Sequence, residues 1–225
     1  MTILPYRDTR PKRRQLDRPR VVAAALALMD EVGMDGLTMR SLADSLGVTA
    51  ASLYRHVRDK DELLVLLADE ISAEIPLIAT DRPWKEALAY AAHAVRRVLS
   101  AHRDAARLLA ATPPAGPRRL VQIEALLSVL LAAGFTDRDA AWAAYHFNNL
   151  VMEFVADEVQ LARAAEVAGR TRSELLAEAR DQLRSLPADQ FPTLTRLADY
   201  VAEDDADALF DFGLRLAIAG LESLR

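Results

Sequence analysis

The chain reads as all-α, an N-terminal three-helix helix-turn-helix followed by a larger helical body, and three observations predict this. Apolar residues recur at spacings of three and four through most of the 225 residues, and no segment keeps the period of two that a strand needs. The 8 Gly and 10 Pro fall mostly at joints between periodic segments. A 52% hydrophobic, 27% charged composition supplies enough apolar side chains for a core and excludes a disordered chain.

Asp17 stands at a helix N-cap position with Pro19 in the first turn. Val21, Val22, Ala25, Leu28, Met29 and Val32 then keep helical spacing until Gly33 stops it. Residues 34–37 connect to Thr38, a second N-cap, and Met39, Leu42, Ala43 and Leu46 make a helix of barely two turns that Gly47 ends. Thr49 caps a third helix, expected from Ala50 to Val57. In it Leu53 and Val57 lie four apart and face inward, while Ser52, Tyr54, Arg55 and His56 stay largely outside. Asp59 and Glu62 resemble a capping pair and open a fourth helix through Leu63, Leu64, Leu67, Ile71 and Ile75, closed by Pro76.

Beyond Pro76, helical patterns run from Trp84 to about Ser100, Leu120 to Ala133, Asp137 to about Ala168, Ser173 to Leu186 and Ala206 to Leu224. The breaks at residues 112–117, Gly134 and Leu186-Pro187 are ordinary helix stops. The expected division is therefore a basic arm and helix-turn-helix over residues 1–60 and a body over 61–225. Two segments, Asp137 to Val159 and Ala206 to Leu224, are apolar on more than one side. Such helices are either central in the monomer or form a subunit interface; we expect a homodimer.

Charge is divided unevenly. The net value is −5, yet residues 1–60 carry +4 and the rest −9, with Arg7, Arg10, Lys12, Arg13, Arg14, Arg18 and Arg20 making most of the basic surplus. This cluster is either a solvated tail or an arm that meets a polyanion through charge and counterion release. With 0 Cys, disulfides, thiolate catalysis and Cys-ligated metal sites are excluded. His56, His93, His102 and His146 show no metal-ligand spacing, and there is no GxSxG or phosphate-binding glycine motif. His102-Arg103-Asp104 matches a kinase triplet without the Asn and glycine-rich loop that would give it meaning, and reads as structural. Neither enzyme activity nor a cofactor or metal is expected. No run of about 18 uncharged apolar residues and no secretory h-region occurs, so a cytoplasmic protein is the expectation.

In a helix-turn-helix the second helix lies in the DNA major groove with its N-terminal residues near base edges. Thr38 offers a hydroxyl and helix N-terminal N–H groups to phosphate, and Tyr54, His56 and Lys60 add donors that position without reading sequence. Arg40, Thr49, Ala50, Ala51, Ser52 and Arg55 are the candidates for reading: Arg bonds guanine, hydroxyls reach several bases, and Ala methyls meet a thymine methyl.

The run from Leu37 to Val57, LTMRSLADSLGVTAASLYRHV, followed by Lys60-Asp61-Glu62-Leu63-Leu64, resembles the N-terminal domain of the TetR family of transcriptional repressors. The resemblance implies that Thr38, Arg40, Tyr54, His56 and Lys60 fall at DNA-contact positions, that the fourth helix is a lever joining head to body, and that the protein is a homodimer binding double-stranded DNA. Residues 101–107, Thr112, Gly134-Phe135, residues 210–214 and Gly220-Leu221-Glu222 extend the similarity to the tetracycline-repressor branch. The chain departs from that branch where a magnesium–tetracycline complex would sit. The metal-binding His appears as Leu109, a drug-contacting His falls near Pro76, and the pocket Gln near Leu126, while an acidic residue survives near Asp157. Neither metal nor tetracycline is implied.

Trp142, His146, Asn149 and Glu153 step by four, three and four along one helix and place polar groups in an apolar body. Two readings stand: a polar dimer seam or solvated strip, or the wall of an effector pocket formed by Asn149 and Glu153 with Leu109, Thr112, Leu126, Tyr145, Asn148 and Met152. The function expected is a ligand-responsive regulator, a repressor released from a palindromic operator by a small-molecule effector. The alternatives are an activator on the same fold and a helical small-molecule-binding protein or enzyme without a DNA role.

Overall fold

Eleven α-helices run through residues 16–224, the part that the structure, a computed structural model, describes. The arm residues Arg7, Arg10, Lys12, Arg13 and Arg14 lie outside the described residues. The helices are α1 (Arg18–Gly36), α2 (Met39–Leu46), α3 (Ala50–Leu53), α4 (Lys60–Glu74), α5 (Trp84–Ala101), α6 (Ala105–Ala111), α7 (Pro117–Ala132), α8 (Asp137–Val167), α9 (Arg172–Arg184), α10 (Pro192–Val201) and α11 (Ala206–Glu222).

The expected caps fix the first elements. Asp17 accepts from the Arg20 N–H at 2.9 Å, Thr38 and Ser41 form a reciprocal capping box, and Asp59 accepts from the Glu62 N–H at 2.8 Å. Gly47 ends α2 in the left-handed conformation, φ 64°. Val21, Ala25, Met29, Leu37, Leu42 and Leu53 are fully buried where α1, α2 and α3 meet, and Leu63, Leu67 and Ile71 of α4 belong to the same core. The third helix is shorter than expected. The N–H groups of His56 and Val57 both turn back to the Leu53 carbonyl, at 2.8 and 3.0 Å, so α3 closes after one turn.

α5, α7, α8 and α11 enclose a second core around Leu88, Leu130, Phe147 and Phe210. Arg96 binds it together, paired with Glu158 of α8 at 2.7 Å and Asp207 of α11 at 2.8 Å, with its guanidinium over the Phe154 and Phe210 rings. The helices α6 and α10 were not singled out from the sequence. The first has seven residues, too few for a period to emerge, and the second leaves Leu194, Leu197 and Tyr200 exposed. α10 pairs with α9 through Arg184 and Asp199 at 2.5 Å and through Arg180, which donates to the Ala202 carbonyl at 2.9 Å.

No helix among the described residues is long and apolar enough to cross a membrane. On α11, Leu209, Phe212 and Leu216 are exposed on the side opposite buried Phe210 and Leu214. Trp142 and Tyr145 are likewise exposed on α8. These apolar faces are uncovered within one chain.

Candidate DNA interface, effector cavity and the link between them

Gly47 reverses the chain between α2 and α3, and the buried Leu42, Ala43 and Leu53 hold the two together, so the turn presents one polar surface. Thr38, Arg40, Thr49, Ala51, Tyr54 and Arg55 are exposed on it, and Ala50, Ser52, His56 and Lys60 are half-buried. Thr49 and Ser52 share a hydroxyl hydrogen bond of 2.9 Å, and Lys60 donates to the Met34 carbonyl at 3.3 Å. Two neighbouring cations are neutralised internally: Arg18 pairs with Glu62 at 2.5 Å and Arg58 with Asp59 at 2.7 Å. Arg18, grouped with the basic arm in the sequence, thus joins the starts of α1 and α4, and also donates to the His56 carbonyl at 2.9 Å. Arg40 and Arg55 have no such partner among the described residues, which leaves two guanidinium groups for an external anion or base edge.

A cavity of about 500 Å³ opens between the C-terminal end of α4, α5, α6, α7 and α8, a size suited to a small organic molecule. Leu109, Thr112, Leu126, Tyr145, Asn148, Asn149 and Met152 all line it. Glu153 does not; it is exposed. At about 100° per residue the strip of Trp142, His146 and Glu153 lies roughly a quarter-turn from that of Ala141, Tyr145, Asn148 and Met152, with Asn149 at their border. Arg119 and Gln122, three apart on α7 and continuous with Leu126, also line the cavity and were not singled out. Their i, i+3, i+7 spacing is the signal that would have placed them on one face. Among the described residues no cluster of three or more His, Asp or Glu is placed to hold a metal.

Two sets of contacts join cavity and head. In the first, Asp69 of α4 caps α7, whose own N-cap, Gly116, has no side chain. One carboxylate oxygen accepts from the N–H groups of Arg118 and Arg119 at 2.9 Å each. A Cβ on Gly116 would lie 2.2 Å from that oxygen, so the approach requires glycine. Gln122 donates to the Ile75 carbonyl at 2.6 Å, and Arg118 pairs with Glu70. In the second, the corner between α5 and α6 grips the end of α1. His102 bridges Asp30 at 3.1 Å and Glu74 at 3.2 Å, and the Arg103 N–H donates to Asp30 at 3.0 Å. Buried Asp104 accepts from the Met34 N–H at 2.8 Å and pairs with Arg163 at 2.7 Å, and Arg107 forks onto Asp35 at 2.8 Å on both arms. Gly33 makes room, with φ 77° and a would-be Cβ 2.9 Å from Asp104 Oδ2. Burial alone would lower the His102 pKa, but hydrogen bonds to Glu74 and Asp30 and their charges outweigh it and raise it above 6.5.

A helix-turn-helix with unpaired arginines, joined by one long helix to a body with an apolar cavity, defines a DNA-binding protein of the ligand-responsive class. Comparison with known proteins agrees. Residues 21–67 match the family model described as bacterial regulatory proteins, tetR family, and residues 77–225 match the tetracyclin repressor-like C-terminal domain. The chain belongs to the TetR family. It is 35% identical to tetracycline repressor protein class C of Escherichia coli, over 94% of this chain and 93% of the relative. It is also 35% identical to an HTH-type transcriptional regulator of Saccharopolyspora erythraea, over 94% and 89%. Among solved structures, ActR from Streptomyces coelicolor in complex with actinorhodin superposes with a TM-score of 0.84 at 33% identity, covering 93% of this chain and 97% of that one. BioQ with its double-stranded DNA operator gives 0.67 at 29%, covering 93% and 99%. As a family member the chain is a ligand-responsive transcriptional regulator, not an enzyme, and works on double-stranded DNA as a homodimer.

Proposed function

We propose that the chain is a cytoplasmic repressor that holds a palindromic operator through two heads and releases it when a small molecule fills the cavity. The single observation that carries this reading is α4, whose Leu63, Leu67 and Ile71 belong to one continuous core with α1, α2 and α3 of the head and α5, α6 and α8 of the body, while its Ser72 and its C-cap residue Ile75 form cavity wall. A ligand that displaces α7 or the end of α4 must therefore tilt the head or be resisted by it. An effector that favours mis-spaced heads lowers DNA affinity by the same factor that DNA lowers effector affinity. The ActR and BioQ complexes, one with a small molecule and one with an operator, support both halves of this reading.

In this reading residues 1–60 are the DNA-binding unit and 61–225 the effector-binding and dimerising unit. Arg40, Thr49, Ala50, Ala51, Ser52 and Arg55 read bases, whereas Thr38, Tyr54, His56 and Lys60 hold phosphates. Leu109, Thr112, Leu126, Tyr145, Asn148, Asn149 and Met152 contact effector. Leu209, Phe212 and Leu216 of α11, with the exposed face of α8, cover their counterparts in the second copy, placing the heads over half-sites about 34–36 Å apart or at a comparable spacing.

Transcription from a reporter carrying a selected operator tests the sign. Repression predicts a drop on adding the protein; a rise would make the protein an activator. Leu126→Trp, which fills the cavity, is expected to keep repression and lose relief by any compound that relieves wild type. Retained relief would move the effector site elsewhere.

A further inference from the structure

Arg119 is the one charged side chain in the cavity wall among the described residues. Its guanidinium is half-buried, and its nearest fixed partners are neutral. Nη1 donates to the carbonyl and hydroxyl of Thr112 at 3.0 and 3.1 Å, and Nη2 to the Leu109 carbonyl at 2.6 Å. Those three bonds hold the fork at the end of α6 and leave Nε–H and one Nη2–H, the side-on pair that matches a carboxylate, without a partner among the described residues. No carboxylate lies within ion-pair distance of it there. Asp69, the acid whose charge acts on it, is committed to the N–H groups of Arg118 and Arg119 at the start of α7, and Glu70 to Arg118. Burial, only partly offset by the Asp69 charge, pushes the guanidinium pKa down. A cation withdrawn from water without a counter-ion is costly unless something negative joins it.

The other polar groups on this side are already satisfied. Ser72 donates to the Ala68 carbonyl, Thr112 to the Leu108 carbonyl, and Gln122 to the Ile75 carbonyl. Across the cavity on α8, Asn148 and Asn149 make no side-chain hydrogen bond among the described residues. The rest of the wall, Ile75, Val95, Ile123 and Met152 among them, is apolar apart from the Tyr145 hydroxyl.

We infer that the cavity takes a molecule with an apolar body and one anionic group, a carboxylate or a similar oxyanion, seated side-on against Arg119. This rests on the reading of the cavity as the effector site. Neutral ligands leave the guanidinium unpaired, and cationic ones meet a like charge with no acid in the wall to offset it. The anion also touches the same α7 turn that Asp69 caps, so its arrival is felt at once by α4.

The test uses a matched pair of fluorescent probes that differ by one anionic group: 8-anilino-1-naphthalenesulfonate and neutral N-phenyl-1-naphthylamine. Both are titrated into the full-length protein at fixed ionic strength. Wild type is expected to bind the sulfonate about tenfold or more tightly than the neutral probe. Arg119→Met should weaken the sulfonate by a similar factor and leave the neutral probe within about twofold, since a charge-assisted contact is lost while the apolar wall remains. Arg119→Lys, which keeps charge but not the fork, should fall between, and it decides the matter if Arg119→Met fails to fold by circular dichroism. Absence of a sulfonate preference in wild type, or an unchanged ratio in whichever variant folds, overturns the inference. Leu126→Trp separates this from the underlying reading. Loss of both probes in that variant places them in the cavity, so an unchanged ratio then sinks the anion assignment alone. Retention of both sinks the cavity as their site and the inference with it.

Discussion

Removing the Asp69 carboxylate strikes both the stability of the body and its communication with the head. Asp69 is 7% exposed, and its Oδ1 accepts two backbone N–H groups at 2.9 Å at the start of a helix that has no cap of its own. Each hydrogen bond to a charged group is worth about 1.5–3 kcal/mol, and water entering the opened corner refills part of the loss, so Asp69→Ala should cost about 3 kcal/mol. Asp69→Asn keeps an acceptor oxygen and loses mainly the attraction between charge and helix N-terminus, about 1 kcal/mol. For a chain of this size each kcal/mol lowers Tm by about 2–4 °C, which predicts drops of about 6–12 °C for Ala and about 3 °C for Asn at matched protein concentration. Gly116→Ala reaches the same contact from the other side. Its Cβ would lie 2.2 Å from Oδ1, so it should expel the carboxylate and reproduce the Ala phenotype with Asp69 intact. Thermal melts followed by circular dichroism read all three. Operator binding with and without a relieving compound then reads coupling, which should shrink in step. An Asp69→Ala protein melting within a degree of wild type, or Asn as damaging as Ala, would refute the capping role; full relief in Asp69→Ala would refute the route through α7.

His102 gives the clasp a pH dependence. Its pKa is raised in the folded protein, so the stabilisation it gives is fully present below about 6.5 and is lost as pH rises through the folded value. Tm measured from pH 6 to 9 should fall more for wild type than for His102→Gln; parallel curves would mean the bridge to Asp30 and Glu74 contributes nothing. In the head, Lys60→Ala should weaken binding to specific and random duplexes alike and reduce the salt slope by about one. Arg40→Ala should relax preference at a single base pair, and equal losses on both kinds of DNA would make Arg40 a backbone contact.

The head was legible because its punctuation is local. Asp17, Thr38, Gly47 and Asp59 each act within a few residues of themselves, and all four occupy the expected cap positions. The end of α3 was not, because two N–H groups competing for the Leu53 carbonyl leave no mark on the pattern of side chains. On α8 the stripe read from the spacing, Trp142, His146, Asn149 and Glu153, meets the cavity only at Asn149, and its other three members reach solvent; Tyr145, Asn148 and Met152 line the cavity from the neighbouring strip. Arg119 and Gln122 carried a readable spacing but needed α4 and α6 beside them to become wall. The clasp is beyond any local reading, since His102 and Asp30 are 72 positions apart.

Selection of bound duplexes from a random pool, with the purified protein at stated salt, shows whether paired heads read DNA sequence. An inverted repeat with two half-sites is expected, lost from the selection when Arg40 and Arg55 are replaced together. Absence of any motif, with no binding of the pool even at low salt, would contradict that expectation and leave a helical ligand-binding protein whose head reads no DNA.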